Sequence, residues 1–351
     1  MDRICRTLVS AGHEVTLVGR ERTNSLPLPE KPYRQVRLPM KFQAGKFFYL
    51  EYNWKLSRWL KANPCDAINT VDLDTILAGY LAKQPEQKWV FDAHEYFSET
   101  PEVIHRPVIR GIWQRLARWL IPKTDVRYTV GPKLATIFQL EHGVEFGVVR
   151  NVPEGKKKKG EQATDQFSTT AESKKIILYQ GMLNRGRGLE VAIAAMRLLP
   201  DTYTLWLAGN GDLLEELQRS SIDLQEQGRV RFLGFVPMEQ LPDLTRRAWL
   251  GLNLLDAVSP SYYYSLANKC FDYIQAGVPS VQMDFPEYQA LQDKYDCFVL
   301  LPELDANKLA GVILSTDESG CIYTNLHKNN KLAAAELNWE RERNILLSLW
   351  A

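Results

Sequence analysis

Residues 175–196, KIILYQGMLNRGRGLEVAIAAM, carry the clearest structural signal in the chain. An apolar run at 176–179 leads into a loop holding Gly181, Arg185, Gly186, Arg187 and Gly188, and apolar residues then recur at helical spacing over 189–199. A strand that passes through glycines into a helix is the opening unit of a parallel, doubly wound sheet. Glycines at that junction let a backbone approach phosphates closely, and the two arginines supply bidentate donors. The spacing matches neither a G-x-G-x-x-G loop nor a Walker sequence, which counts against dinucleotide and ATP binding. The plainer alternative is a tight turn with surface arginines.

The same alternation extends in both directions. Towards the C-terminus, strand-like runs at 203–208, 230–234, 250–254, 279–283 and 297–300 are separated by helical patterns at 212–225, 265–276 and 306–315. Towards the N-terminus, runs at 14–18, 66–70, 88–92, 126–130 and 147–150 alternate with amphipathic stretches such as 48–61 and 107–120. Strands rich in Val, Ile and Leu, each followed by a helix, imply parallel sheets covered on both faces. The expected architecture is α/β, two doubly wound Rossmann-like domains in series: 1–153, a linker at 154–174, and 175–335, with a closing helix over 336–351. The linker contains Lys156 to Lys159 and then Gly, Gln, Thr and Ser, with no apolar periodicity. Such a segment cannot bury a core, and a solvated linker is favoured over a basic phosphate-binding tail.

Composition agrees with this and excludes other classes. The 351 residues are 45% apolar and 24% charged, which excludes a disordered chain and gives each half material for a core. Lys plus Arg number 43 against 42 Asp plus Glu, so the net charge of +1 gives no reason to expect a nucleic-acid partner. Any anionic ligand must be held by local charge. Five widely spaced cysteines with no C-x-x-C pair favour reduced thiols over a structural zinc site. No apolar run reaches the roughly 18 residues of a membrane span, and the first 20 residues carry no signal-peptide core, so a cytoplasmic chain is expected.

Four constellations can carry chemistry. In SLANKCFDYIQAGVP (265–279) a polar loop feeds a helix, with Ser265 as the expected N-cap and Gly277 as the C-cap. Lys269 beside that helix start, after Asn268, suits a phosphate, and Asp272 three residues later suits ribose hydroxyls. The bland alternative is a capped helix with an internal Lys269–Asp272 ion pair. Gly209-Asn-Gly211 and Gly234-Phe235-Val-Pro237 are further glycine turns after strands. In the first half, His94 and Glu95 follow the run 88–92, where a histidine serves either in a site or as a buried hydrogen-bonding residue. A metal reading fails for want of a second histidine nearby. Asp72-Leu-Asp74 has the form of a manganese-binding pair, yet a site with fixed cations at the phosphate needs no metal, so the pair reads as helix-capping loop acid. Residues 105–123 hold five Arg or Lys and no carboxylate, with Ile109, Ile112, Trp113, Leu116, Trp119 and Leu120 at helical spacing. That pattern fits a core-packed helix with a solvated arginine face, or one lying on an anionic membrane.

Taken in order, YQGMLNRGRGLEVAIAAM, LAGNGD, RFLGFVP, SLANKCFDYIQAGVPSV and the closing LNWERERNILLSL resemble retaining GT-B glycosyltransferases of the family 4 type, which use nucleotide-diphosphate sugars. The first half joins the resemblance through AGHEVTLVGR, NTVDLDT, FDAHEYFSE and VVRNVP. The resemblance implies two Rossmann-like domains facing a cleft. It implies transfer of a hexosyl unit with retention to a glycan or lipid-linked acceptor. With fixed cations at the diphosphate no metal or other cofactor is expected, the chain is expected in the cytoplasm, and peripheral contact with the inner membrane face through 105–123 is the alternative to a core-packed helix. It places Arg187, Lys269, Arg185, Gly181 and Asn268 at the donor diphosphate, Asp272, Gly209 and Phe235 at the ribose and base, and His94 with Glu95 at the reacting sugar. Met182 and Tyr264 stand where the family usually has a second basic residue and a first acidic one. The helical pattern at 2–11 precedes the strand at 14–18 where the family begins with a strand. The expectation is roughly 10–20 further residues upstream, and impaired transfer by the chain as given. Rival readings on the same architecture are a nucleotide-sugar epimerase or hydrolase, and an inactive binding relative.

Overall fold

The structure, a computed structural model, describes residues 1–23, 25, 27–155, 174–318 and 320–351; the linker expected at 154–174 falls, for 156–173, outside the described residues. The chain divides into two compact units, Met1–Arg150 together with Arg341–Ala351, and Asn151–Glu340.

The first unit has two parallel sheets. β1 (Thr16–Arg20) pairs with β2 (Arg34–Leu38). β3 (Ala67–Val71), β4 (Lys88–Ala93), β5 (Val126–Thr129) and β6 (Gly147–Val148) form a second sheet in sequence order. β2 has no counterpart among the strand-like runs of the sequence. Its Arg-Gln-Val-Arg-Leu alternates polar and apolar residues and is buried only at Leu38, so it lacks the continuous apolar run of a central strand. β4 is buried along its length after Lys88, and Trp89 and Phe91 anchor a core with Ile76, Trp113, Leu120 and Phe138. The helix Leu73–Ala82 comes close to this sheet because residue 79 is glycine. A Cβ there would lie 2.5 Å from Thr70 Cγ2 and 2.8 Å from the Trp89 indole nitrogen. The end of the chain belongs to this unit. Glu342, on the helix Trp339–Trp350, accepts from the Arg150 backbone N–H (2.9 Å) and from its guanidinium (3.1 Å), and Leu349 packs on Gly147.

The second unit has one six-stranded parallel sheet, built from β7 (Lys175–Gln180), β8 (Tyr203–Ala208), β9 (Val230–Gly234), β10 (Leu250–Asn253), β11 (Ser280–Met283) and β12 (Val299–Leu301). The order is β12-β11-β10-β7-β8-β9. Successive strands therefore run outward on one side of β7 and then on the other, and the direction switches between β7 and β10. In sheets of this kind ligands sit beyond the carboxyl ends of the strands at that switch. The helical pattern at 212–225 is two helices, Leu214–Ser220 and Ile222–Glu226. Fully buried Ser221 breaks it by turning its hydroxyl back onto the Leu217 carbonyl (2.7 Å).

Candidate active site

In the second unit, the loops after β7 and β8 touch. Gly181 has φ 136° and Gly209 has φ 147°, and a Cβ on Gly209 would lie 1.8 Å from the Gly181 carbonyl oxygen. Only glycine is compatible with that approach, which leaves bare backbone at the switch point. Lys269 reaches this backbone from the helix Asn268–Ala276: a Cβ on Gly181 would be 3.4 Å from its Nζ. The lysine is 8% exposed, its Nζ stands 3.8 Å from the centre of the Tyr179 ring, and it has no carboxylate partner among the described residues. Burial and the nearby Arg187 charge pull its pKa well below the usual lysine range, against the opposing charge of Asp272. Arg187 also lacks an acidic partner among the described residues; its guanidinium lies 4.8 Å over the Tyr262 ring and its Nε is buried without an acceptor.

Asp272 does not form the ion pair with Lys269 that their spacing allows. Its carboxylate accepts from Gln180 Nε2 (2.9 Å), and Gln180 Oε1 accepts from the Thr245 hydroxyl (2.8 Å). A Thr245–Gln180–Asp272 chain thus orients the carboxylate expected at the ribose. Ser265 is not the cap of this helix. The N-cap is Ala267, without a side-chain cap, and the Ser265 hydroxyl donates to the Tyr262 carbonyl (2.8 Å) because the preceding short helix Pro260–Tyr263 claims it. The C-cap at Gly277 is left-handed, at φ 73°. Asn268 is exposed at the helix start. Arg185 is exposed and paired with Glu216 (3.2 Å), and Phe235 is 73% exposed after β9. Gly181, Gly209, Lys269, Arg187 and Asp272 therefore share one locality, while Arg185 is engaged at the surface.

In the first unit the carboxyl ends of β3 and β4 bring four titratable residues together. Asp72 is held at φ 54°, strained for a residue with a side chain, and its N–H donates to the Asp92 carbonyl (2.9 Å). It does not act as the capping acid expected of Asp72-Leu-Asp74. It stands at the N-cap position of Leu73–Ala82, but its carboxylate turns away and accepts from the His94 backbone N–H (2.8 Å). Burial, reinforced by the Glu95 and Asp92 charges, pushes Asp72 up to about 8; burial alone pushes Asp74 to about 6 against the pull of Arg20. His94 Nε2 lies 3.2 Å from Asp92 Oδ2, and Asp92, 2% exposed, also accepts from the Tyr128 hydroxyl (3.2 Å). Burial lowers the His94 pKa, but Asp92 and Asp72 outweigh it and hold the imidazole above its ordinary range. Glu95 is exposed and, with Asp72, Tyr96, Gln114 and Arg118, borders a cavity of about 30 Å³, room for one or two waters. Among the described residues no three His, Cys, Asp or Glu side chains converge as a metal site.

Asp92, Tyr128, Gln180, Thr245, Tyr179 and Tyr262 were not legible as site residues. A carboxylate inside the apolar run of β4 was the one signal that pointed to any of them. The basic helix Pro107–Leu120 belongs to the first unit. It buries Trp113, Ala117 and Leu120 and leaves Val108, Ile112 and Trp119 well exposed, so it is neither wholly core-packed nor wholly free. Arg110 on it holds buried Glu99 through two bonds (2.9 and 2.7 Å). No helix among the described residues is long and apolar enough to cross a membrane.

Comparison with known proteins gives the chain its place. Residues 1–155 match the glycosyl transferase 4-like domain, and residues 174–316 match the glycosyl transferases group 1 domain. No curated protein matches. Among solved structures, sucrose-phosphate synthase from Thermosynechococcus elongatus superposes with a TM-score of 0.78 at 20% identity, covering 99% of this chain and 91% of that one. Anabaena HepE in complex with UDP and glucose gives 0.71 at 16% identity, with 91% and 87% covered. WaaG, a glycosyltransferase involved in lipopolysaccharide biosynthesis, gives 0.71 at 17%, with 98% and 94% covered. With both domains matched and parallel α/β sheets in each unit, the chain is a glycosyltransferase of GT-B fold, built from a glycosyl transferase 4-like domain and a glycosyl transferases group 1 domain.

Proposed function

We propose that the enzyme transfers a hexosyl unit from a nucleotide-diphosphate sugar to a glycan or lipid-linked acceptor, with retention at the anomeric carbon and without a metal. The observation that carries this reading is the pair Lys269 and Arg187, two neighbouring cations set on tyrosine faces beside bare glycine backbone, with no acidic partner among the described residues. A buried ammonium without a counter-ion is unfavourable on its own, and a diphosphate supplies the missing charge. The same two cations stabilise the charge that grows on the diphosphate as it leaves, which is the work a metal does elsewhere. Gly181 and Asn268 offer backbone to the phosphates, and Asp272, oriented by Gln180, takes the ribose with Gly209 beside it. Phe235 is assigned to the base, and Arg185 becomes a phosphate ligand only by leaving Glu216.

In the first unit we assign His94 to the transferred sugar and Glu95 to its surroundings, on the family resemblance and on the cluster that fixes His94. Retention rests on that resemblance too. The exposed Val108, Ile112 and Trp119 beside Arg106, Arg115 and Lys123 support an acceptor met at the cytoplasmic face of an anionic membrane. The test of the donor reading is calorimetry with UDP, GDP, ADP and UDP-glucose. One of these should bind, and Lys269→Ala should weaken it by roughly 1.5–3 kcal/mol, the range for a hydrogen bond to a charged group. Binding unchanged in a folded Lys269→Ala protein removes the donor site from this locality.

A further inference from the structure

The assignment of His94 to the transferred sugar leaves open what sets the state of its ring. The imidazole is constrained from both ends. Its backbone N–H is held by the Asp72 carboxylate, which is fixed by a strained backbone and by its own N–H on the Asp92 carbonyl. Its Nε2 is buried and stands 3.2 Å from Asp92 Oδ2, at ion-pair distance but with the N–H not aimed straight at the oxygen. The His94 side chain is 27% exposed and its Nε2 is covered, so the exposed part of the ring lies elsewhere. Among the described residues Nδ1 has no hydrogen-bond partner, which makes it the nitrogen open to a ligand.

Asp92 is itself placed by other elements. It lies in β4, the neighbour of β5, with Asp92 opposite Tyr128 in register, and the Tyr128 hydroxyl is directed at the same Oδ2 that faces His94. A carboxylate 2% exposed, accepting from a phenol and facing an imidazole, is oriented on two sides. In an environment of low dielectric, removing it costs His94 its counter-charge.

We propose that Asp92, held by Tyr128, is a positioning residue that fixes the His94 ring with Nε2 inward and supports its protonated form, so that Nδ1–H is presented as the donor to the transferred sugar. The logic is that of a buried carboxylate behind a working histidine, which selects its tautomer and stabilises its protonated form. The sugar-handling part rests on the donor reading given above; the coupling of Asp92 to His94 does not. Asp92 and Asp72 are the carboxylates whose charges act on the ring, with Glu95 acting on Asp72, the Tyr128 phenol behind Asp92 and the Met1 amino group as the opposing positive charge.

The test is an NMR titration of the full chain labelled with ¹⁵N-histidine, with His94 assigned among the five histidines through His94→Gln. The His94 midpoint should fall by at least one pH unit in Asp92→Asn and by less in Tyr128→Phe, and Asp92→Glu should recover part of the shift. In parallel, the pH profile of kcat/KM for UDP release from UDP-glucose should lose its alkaline limb at a correspondingly lower pH in Asp92→Asn. A midpoint that stays put in both Asp92→Asn and Tyr128→Phe overturns the proposal whatever the activity does. Should Asp92→Asn fail to fold, Tyr128→Phe, which deletes one hydroxyl, decides by the same criterion. If the midpoint shifts but His94→Gln leaves UDP release unchanged, the Asp92–His94 coupling stands and the assignment of His94 to the sugar falls.

Discussion

Lys269 and Asp72 are both ionisable groups moved from their usual state by burial, in opposite senses, and each yields a pH experiment. Lys269 has its pKa depressed in the free protein, and a diphosphate beside it raises that pKa again. Binding of UDP at alkaline pH should therefore take up protons, and affinity should fall as pH rises. Calorimetry in buffers of different ionisation enthalpy reads this directly, and Lys269→Met should abolish the uptake. Asp72 is raised from 3.8 to about 8, so its neutral form is the one the fold accommodates. The stability it contributes is complete below its unfolded pKa and is lost as pH climbs towards 8. Asn keeps the acceptor for the His94 N–H and tolerates positive φ. Asp72→Asn should therefore gain in thermal stability relative to the parent as pH rises from 5 to 8.5, by about 1–2 kcal/mol or more. Equal stability at both values would show that Asp72 is solvated in the protein.

At the scale of elements, the proposed donor locality depends on two loops that meet without side chains. Gly209→Ala would drive a methyl into the Gly181 carbonyl at a φ that disfavours any side chain. It should cost roughly 2–4 kcal/mol of stability, combining backbone strain with overpacking, and UDP binding should suffer more than the first unit's folding. Chemical denaturation beside UDP titration separates the two effects. The closing helix Trp339–Trp350 makes a different kind of contact. Glu342, 2% exposed, receives both the Arg150 backbone and its guanidinium, so Glu342→Ala leaves the Arg150 N–H and a partly buried guanidinium, 25% exposed, without their acceptor. A loss of about 1–3 kcal/mol is expected in urea unfolding, and no measurable loss would show the pair to be solvated.

At the scale of the molecule, two expectations follow from where charge and apolar surface lie. With Lys269 and Arg187 as the proposed diphosphate ligands, turnover of the nucleotide sugar that binds should persist in EDTA. Complete loss, restored by Mn²⁺, would return Asp72 and Asp74 to the centre of the chemistry. The basic helix Pro107–Leu120 adds apolar side chains to its cations, and each basic residue near an anionic surface contributes about 1 kcal/mol. Co-sedimentation with vesicles containing phosphatidylserine should fall at least tenfold in an Ile112→Asp, Trp119→Asp double variant. Both side chains are exposed, at 57% and 49%, so the fold should survive the change. Undiminished sedimentation would assign this face to something other than lipid.

Short-range chemistry was readable from the residues alone. Apolar runs of Val, Ile and Leu followed by helical periodicity specified parallel sheets, and the glycine loops after 176–179, 203–208 and 230–234 marked the carboxyl edge of the second sheet. Gly277 could be read as a left-handed C-cap because only its own backbone is involved. β2 could not be read, because an edge strand needs no apolar run. Nor could Ser221 be seen to break a helix, since its hydroxyl competes for a carbonyl only once buried. Ser265 and Asp72 were legible as polar residues before helices, but which group each would bond depended on neighbours 3 and 22 residues away, Tyr262 and His94. The same holds for charge. Lys269 and Asp272, three residues apart on one helix, looked like an ion pair, and packing against Tyr179 and Gln180 separated them. Composition and periodicity determine which backbone forms, because those preferences are local. The partners of a buried polar group are chosen by the strands that surround it, because desolvation makes every unpaired alternative costly, and only the folded chain settles which partner is within reach.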